Sequence, residues 1–427
     1  MRHAGVMRKK GVRLARAYAR AMTSDGQRLR AGLLVLLGAL TALAPLTINL
    51  YLPAFPVIAA ELGVGKGQVQ LTMTATLVGL ALGQLLVGSV SDAVGRRRPL
   101  LAAFAVYVVV SLGIAVASGI ELLLVLRLAQ GLVGSAGLVI SMAVVRDTYD
   151  GYVVGRALSR LMLVVGVAPV LAPALGSQLL LVGSWRLLFV VLAVLGLVLL
   201  LLVALVMTES LPPELRRTGG TAAATRSYVA LLRDPTFFGL VLVAGITMAG
   251  QFTYISASTF FFQQTYGLSA QQYGLVFGAG AVMVTLGTQV TGVLLGRVRP
   301  LRIVGGALVA ALLGATAIAV VAVGVGTGPG RLVPLLLVIL PTVGAVGMML
   351  PAVPAIALAR LSHDAGSAAA LVGAAQFGMA AVGAPLSGLL GGSVLTMALV
   401  MMVAFALAGL IMIGVARREA GLRGAPP

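Results

Sequence analysis

Long apolar stretches without charge alternate with short charged segments along almost the whole chain. The uncharged stretches cover residues 31–60, 67–91, 99–120, 128–145, 161–185, 187–208, 235–296, 303–330, 332–359 and 365–416. A helix needs about 20 residues to cross the roughly 30 Å hydrocarbon core of a bilayer. Eight stretches therefore fit one spanning helix each. The two long stretches fit two helices each, around uncharged turns at 266–269 and 391–393, so the pattern predicts twelve spans.

Composition supports an all-α integral membrane protein. Hydrophobic residues make up 60% of the chain and charged residues 10%, against roughly a quarter charged in soluble domains. Cysteine is absent, so no disulfide or thiolate metal site can form. Because His3 and His363 lie outside the apolar stretches, we expect neither a metal site nor a resident cofactor.

The basic residues predict the orientation in the membrane. All of the 30 lysines and arginines except Lys66, Arg127, Arg186 and Arg331 lie in the segments that are cytoplasmic if the N-terminus is inside. The positive-inside rule then places both termini in the cytoplasm. The net charge of +19 is explained by this bias and by anionic lipid headgroups, so a nucleic-acid partner is not expected.

The longest polar segment between spans divides the chain into two halves. We predict a basic cytoplasmic tail at 1–30, a six-helix bundle at 31–208, a cytoplasmic linker at 209–235, a second six-helix bundle at 236–415 and a tail at 416–427. A weak repeat of the segment 88–100 at 292–301 supports duplication. Two such bundles predict a transporter with its site at their interface, and we expect a monomer in the lipid bilayer.

Two motifs contain the candidate coupling and gating residues, and a third is expected to bend a helix. The first has the form Gly-x-x-x-Asp-x-x-Gly-Arg-Arg, in which Gly95 permits a tight turn and Asp92 caps or pairs at a helix end; a plain positive-inside loop is the alternative. It contains Gly88, Asp92, Gly95 and Arg96.

The second motif places a charge inside the fourth span. It reads Arg127-Leu-Ala-Gln130-Gly131. Asp147 lies at the inner end of the same span, where it could pair with the arginines at 96–98. A charge within a span is costly and is usually functional, unless the side chain reaches the interface.

The third motif lies in the fifth span and comprises Gly166, Pro169, Pro173 and Gly176. Two prolines and two glycines are expected to bend this helix and to leave carbonyl groups free inside a protein-lined cavity.

With these motifs in this order, the chain from residue 31 onward resembles the major facilitator superfamily. The segments 50–56, 183–186 and 254–263 are similar to its Bcr/CflA drug-resistance branch. The resemblance implies the major facilitator fold in the cell membrane. It also implies export of hydrophobic drugs or antibiotics by alternating access in exchange for protons. It further implies that the first motif latches the two bundles and that Arg127 takes part in proton coupling.

The chain departs from that pattern in its carboxylates. Most relatives in the branch have an acidic residue where this chain has Asn49, and all eleven Asp and Glu residues lie in loops or at helix ends. A proton antiporter needs a group that exchanges protons with alternating sides, normally a carboxylate. Asn49 also argues against strong attraction for cations.

Candidate substrate contacts are the intramembrane polar or aromatic residues Asn49, Tyr51, Gln251, Tyr254 and Gln376. An apolar cavity with a few hydrogen-bonding groups suits amphipathic small molecules. The alternative is that these side chains only bond between helices, which contributes roughly 0.6 kcal/mol each.

Three other functions stay open at this stage. The same fold could export or import one specific metabolite, because fold does not fix substrate. A membrane-embedded enzyme would need a clustered nucleophile, base or set of metal ligands, and the spans contain none, so the chain is not expected to be an enzyme. A pore would need charged rings, and Arg127 is the single charge well inside a predicted span.

Overall fold

The structure is a computed structural model that describes residues 32–149, 152–216, 220–326, 328–359 and 365–424. The predicted tail at 1–30 and His363 lie outside these residues. Within them, twelve helices are long and apolar enough to span a membrane, which confirms the predicted number. They are α1 (Gly32–Leu62), α2 (Lys66–Val94), α3 (Arg97–Ala115), α4 (Ile120–Thr148), α5 (Val153–Val182), α6 (Trp185–Val206), α7 (Pro235–Thr265), α8 (Ala270–Leu294), α9 (Pro300–Gly324), α10 (Leu332–Leu358), α11 (Gly366–Leu389) and α12 (Val394–Glu419).

Both uncharged turns lie where the sequence predicts them. Between α7 and α8, Gly267 has φ 73°, and between α11 and α12, Gly391 has φ 105°. These left-handed backbone conformations favour glycine because it has no Cβ. Ser269 then caps α8, its hydroxyl oxygen accepting the N–H of Gln272 at 3.2 Å. Helix continues past the predicted end of the last span, to Gly424.

Glycine allows the closest helix contacts within each half. A methyl group built on Gly131 of α4 would lie 2.1 Å from the carbonyl oxygen of Thr76 on α2. The second half repeats this device, since a methyl group on Gly287 of α8 would lie 2.1 Å from the carbonyl oxygen of Gly344 on α10. Small residues favour such approach where lipid supplies no hydrophobic drive for helix association. The matching contacts are consistent with two related halves.

Two helix pairs join the halves: α2 packs on α11, and α5 packs on α8. Side-chain hydrogen bonds to main-chain oxygens connect both pairs. Thr74 of α2 donates to the carbonyl of Ala381 at 3.0 Å, and Gln271 of α8 donates to the carbonyl of Ser177 at 2.9 Å.

The two ends of the helical assembly differ. We call the end at which α2 begins the Lys66 end and the opposite one the Arg96 end. At the Lys66 end α1 and α7 meet, with Thr259 donating to the carbonyl of Leu52 at 2.7 Å and Gln263 to that of Pro53 at 3.1 Å. The main neighbours of α4 and α10 belong to their own halves. The halves are therefore fastened together at the Lys66 end.

The segment predicted as a turn-rich linker contains a helix, Gly220–Leu232, which we call the linker helix. It contacts both α2 and α11 at the Arg96 end. Tyr228 on this helix donates its hydroxyl hydrogen to the carbonyl of Leu85 at 3.1 Å. Four alanines and two leucines favour helix here. The Gly and Pro residues on either side favour turns and made this helix difficult to recognise from the sequence.

Candidate functional site

Arg127 lies in the interior of the first half and is fully buried. Its guanidinium donates to the side-chain oxygen of Gln130, one turn further along α4, and to the carbonyl of Thr47 on α1 at 3.1 Å. The Nε–H group has no hydrogen-bond partner within the described chain. The side chain therefore does not reach the membrane interface, which removes the alternative raised by its position in the sequence.

Two aromatic rings enclose the Arg127 guanidinium. Its central carbon lies 4.0 Å from the ring centroid of Tyr51 and 5.4 Å from that of Phe189. The Tyr51 hydroxyl lies 3.1 Å from the hydroxyl of Thr72 on α2. A cation over an aromatic face is attracted by the ring quadrupole, and more strongly when both are desolvated. Tyr51 thus contacts Arg127 inside the first half, although the sequence suggested it as a substrate contact.

A chain of neutral polar groups extends from Arg127 to α3. Gln130, held by Arg127, donates to the hydroxyl of Ser111 at 2.8 Å. The hydroxyls of Thr47 and Tyr107 lie 2.6 Å apart. All the partners of Arg127 found here are neutral, and neither hydrogen bond nor ring contact brings a carboxylate to it. Gly131 serves a different purpose, because its missing side chain lets α4 approach α2.

Asn49 and Gln251 carry buried polar atoms without partners. Asn49 donates to the carbonyl of Pro45 at 2.7 Å, but its own side-chain oxygen accepts no hydrogen bond from described residues. The side-chain oxygen of Gln251 on α7 is likewise unpartnered. Buried polar atoms are normally satisfied. Two amide oxygens, one from each half, are therefore available to a hydrogen-bond donor.

Tyr254 and Gln376 have different surroundings. The ring of Tyr254 stacks on Phe277 with centroids 6.5 Å apart, and its buried hydroxyl has no described partner. Gln376 lines a small pocket formed by α7, α10 and α11, together with Ala244, Thr247, Met248, Met349, Leu350 and Val353. This pocket combines one amide with apolar and methionine side chains. Methionine adapts readily to different apolar surfaces.

The first motif forms an ion-pair cluster at the Arg96 end. Arg96 is buried and bonds to two carboxylates, those of Asp92 and of Asp147 on α4, the latter at 2.9 Å. The expected pairing of Asp147 with this loop is present. The Ser210 hydroxyl adds a hydrogen bond to Asp147 at 3.2 Å. A methyl group built on Gly88 would lie 3.6 Å from a side-chain carbon of Val139, which is an ordinary van der Waals contact.

Glu209 completes this cluster and could not be found from the sequence. Its carboxylate accepts the main-chain N–H of Arg96 at 2.7 Å and of Arg97 at 3.2 Å, and so caps the start of α3. Gly95, at φ 98°, leaves room for it, because a methyl group there would lie 2.5 Å from the carboxylate. Burial works to raise the pKa of Glu209, but these N–H donors and that of Leu211 lower it below its ordinary value.

The third motif lies between α1 and α8. Pro169 and Pro173 both occur inside α5. A methyl group on Gly176 would lie 1.9 Å from the carbonyl oxygen of Leu50, so this glycine lets α5 touch α1. Gly166 faces Thr285 of α8 across 3.8 Å. The motif thus provides small contact positions on the helix that joins the halves.

Taken together, twelve apolar helices in two related halves, with a buried charge and unpartnered amides in their interior, define a membrane transporter for small molecules. The sequence model described as Major Facilitator Superfamily matches residues 37–384. The chain belongs to this superfamily, whose members are transporters and not enzymes.

The similar curated proteins include an uncharacterized transporter and two drug-resistance proteins. Over 394 residues the chain is 35% identical to an uncharacterized MFS-type transporter, YdgK, of Bacillus subtilis, covering 92% of this chain and 97% of that protein. It is 30% identical to a bicyclomycin resistance protein homolog of Haemophilus influenzae over 56% of this chain and 61% of that one. It is 27% identical to the multidrug resistance protein MdtL of Vibrio parahaemolyticus over 58% of this chain and 62% of the relative.

Solved structures share the fold. A bacterial homolog of the human lysosomal transporter Spinster, in an inward-facing and occupied conformation, superimposes with a TM-score of 0.71 at 16% identity, covering 91% of this chain and 97% of that one. The xylose transporter XylE of Escherichia coli gives a TM-score of 0.69 at 16% identity, covering 90% of this chain and 97% of that one. At such identities the likeness concerns the fold alone.

Proposed function

We propose that this protein exports hydrophobic or amphipathic drug-like molecules from the cell by alternating access, in exchange for protons. The observation that carries the proposal is the pair of buried, unpartnered amide oxygens of Asn49 and Gln251, one on each half. A neutral, largely apolar site with few hydrogen-bonding groups can bind many amphipathic molecules, because it has no charged group that would require a substrate of opposite charge. The bicyclomycin and multidrug resistance relatives support this substrate class.

The orientation belongs to the same proposal. With the Arg96 end in the cytoplasm, as the positive-inside rule predicts, the halves are fastened on the extracellular side. An exporter takes its substrate from the cytoplasm, so the proposal is that the site opens toward the Arg96 end during transport. Asn49, Gln251, Tyr254 and Gln376 are the proposed substrate contacts, whereas we assign Tyr51 to holding Arg127.

Proton exchange is the proposed energy source. The proposal assigns Arg127 the role of a fixed charge whose neutral partners can rearrange as the halves move. Asp92 and Asp147, which both pair with Arg96, are the carboxylates that the proposal considers at the Arg96 end.

Efflux from intact cells tests this function. Cells expressing the wild type would be loaded with ethidium, or with a neutral dye, and efflux followed with and without a protonophore. Arg127→Ala is the test variant. Arg302→Ala, which removes an exposed arginine at the start of α9, is the matched control at equal expression.

The proposal expects efflux that stops with the protonophore and in Arg127→Ala but persists in Arg302→Ala. Efflux that ignores the protonophore would leave export standing and remove proton exchange. No efflux across a broad drug panel, from protein present in the membrane, would favour a dedicated metabolite carrier instead.

A further inference from the structure

Gln70 crosses from the first half into the second near the Lys66 end. It lies on α2, is 1% exposed, and donates from its side-chain nitrogen to the carbonyl of Ser256 on α7 at 3.2 Å. Only the amide nitrogen can donate to a carbonyl, so this bond fixes the orientation of the side-chain amide. The side-chain oxygen of Gln70 then points away from Ser256.

That oxygen faces Gly388 of α11. A methyl group built on Gly388 would lie 2.0 Å from the Gln70 oxygen and 2.8 Å from the amide carbon. It would also lie 3.2 Å from the Cα atom of Gly67, so α2 and α11 are close at this point even apart from the side chain. Gln70 therefore fills a socket that exists because residue 388 has no side chain.

The contact is buried, and not all of its hydrogen-bonding groups have partners. The side-chain oxygen of Gln70 has no hydrogen-bond partner among the described residues. The hydroxyls of Ser256, whose carbonyl accepts the Gln70 bond, and of Ser387, which precedes Gly388, also have none. A buried acceptor without a donor is costly, whereas water would satisfy it if the halves separated. The same side chain thus gains one bond and leaves one atom unpaired when this end is closed.

The other side-chain hydrogen bonds described between the halves at this end also come from uncharged groups and are directed at main-chain oxygens. Thr259 and Gln263 donate to carbonyls of α1. Lys66 lies 5.9 Å from the ring centroid of Phe260. Among these contacts, only that of Gln70 places a side chain against a glycine of the opposite half. Any side chain at position 388 would displace the Gln70 amide.

From this geometry we propose that Gln70 and Gly388 form a latch that closes the Lys66 end: the Gln70 side chain seats in the Gly388 socket when the halves meet and leaves it when they separate. The unpartnered oxygen keeps the closed state from being held too tightly. The latch works on neutral hydrogen bonding and shape, separately from the ion pairs at the Arg96 end, and it is independent of which substrate the protein carries.

A pair of substitutions tests the latch. Gly388→Ala places a methyl group where the Gln70 amide sits and is expected to hold this end open. Gln70→Ala removes the amide, so the double variant Gln70→Ala with Gly388→Ala is expected to close further than Gly388→Ala alone. Gly409→Ala on α12 is the matched control, because a methyl group there meets nothing within 4 Å.

The readout is the distance between spin labels in purified full-length protein, which needs no substrate. The chain has no cysteine, so Val116→Cys and Leu390→Cys, both exposed at the Lys66 end, can be labelled selectively. We expect the longest distance in Gly388→Ala and the wild-type distance in Gly409→Ala. The double variant should lie between them, because it removes the clash but also removes the hydrogen bond to Ser256. A double variant that stays as open as Gly388→Ala would overturn the latch, as would a Gly388→Ala protein with unchanged distances.

A second variant keeps the test available if the label-carrying Gly388→Ala protein does not fold. Gln70→Leu keeps most of the side-chain volume but cannot donate to Ser256, so we expect the ratio of open to closed protein, measured by the same pair of labels, to rise about fivefold. Distances unchanged in a folded Gln70→Leu protein would contradict the latch whether or not the protein exports drugs.

Discussion

The guanidinium of Arg127 lies face-on over the ring of Tyr51, with 4.0 Å between the guanidinium carbon and the ring centroid. Both residues are fully buried, one on α4 and the other on α1. The described contacts of Arg127 include no carboxylate, so the ring is one of the few groups that stabilise the buried charge. We therefore expect the position of Arg127 to depend on this contact, together with its hydrogen bonds to Gln130 and Thr47.

Two substitutions of Tyr51 distinguish the contribution of its ring from that of its hydroxyl. Tyr51→Phe keeps the ring over Arg127 and loses only the contact with Thr72, so we expect transport close to wild type. Tyr51→Leu removes the ring, and a desolvated cation–π contact contributes about 2 kcal/mol. Transport should fall about 30-fold if this energy holds Arg127 in its working position. Initial transport rates at matched expression measure both, and equal losses in the two variants would contradict a role for the ring.

Gly131 allows the closest approach of α4 to α2, so a small side chain should not be tolerated there. Gly131→Ala would bring a methyl group within 2.1 Å of the Thr76 carbonyl oxygen, and overpacking of this kind costs about 1–3 kcal/mol. We expect a clear drop in the thermal unfolding temperature of the purified protein. Gly409→Ala should unfold at the wild-type temperature. A similar drop in that control would contradict the conclusion that close packing of α4 on α2 requires glycine at position 131.

The lowered pKa of Glu209 predicts that the stability of the protein depends on pH. Its pKa is lowered below the ordinary value of 4.5, so its capping of α3 is fully present above pH 4.5 and is lost as the pH falls through the lowered pKa. Glu209→Gln should therefore lower the unfolding temperature at neutral pH, and the difference from wild type should shrink in acid. Glu214→Gln, at an exposed residue of the same segment, is the control. A difference that grows in acid would contradict the sign of this shift.

The orientation in the membrane can be tested by labelling. Because the chain has no cysteine, single cysteines report one position each. Val116→Cys should react in intact cells with a maleimide that cannot cross the membrane. Arg302→Cys, at the opposite end, should react only after the cells are opened. The reverse result would place the Arg96 end outside and would overturn both the predicted topology and the proposed direction of transport.

The helices could be predicted from sequence because lipid imposes a simple rule: every span must be long, apolar and nearly free of charge. The turns at Gly267 and Gly391 followed from the same rule. The linker helix did not, since Gly220–Leu232 is neither long nor apolar enough to be recognised among turn-forming residues. Its position depends on α2 and α11, which are far from it in the chain.

The candidate site could be predicted only in part. The motif residues Asp92, Arg96 and Asp147 do meet, as charge and spacing suggested. Glu209 joins them from 113 residues beyond Arg96, and no local pattern identifies that partner. Tyr51 was selected because it is aromatic and intramembrane, but sequence alone does not give the direction in which it points from α1. Gln70 was missed for the same reason, because its importance comes from a glycine on α11.

The most direct test of the central claim is transport by the purified protein in sealed liposomes. A hydrophobic drug would be supplied on the side of the Arg96 end, with a proton gradient imposed, dissipated, or reversed. Proton exchange predicts that the drug accumulates against its own gradient only while protons are more concentrated on the opposite side, and that Arg127→Ala does not accumulate it. Accumulation that persists without a proton gradient, or none at all from folded wild-type protein across a panel of drugs, would contradict the proposal that this transporter is a drug–proton exchanger.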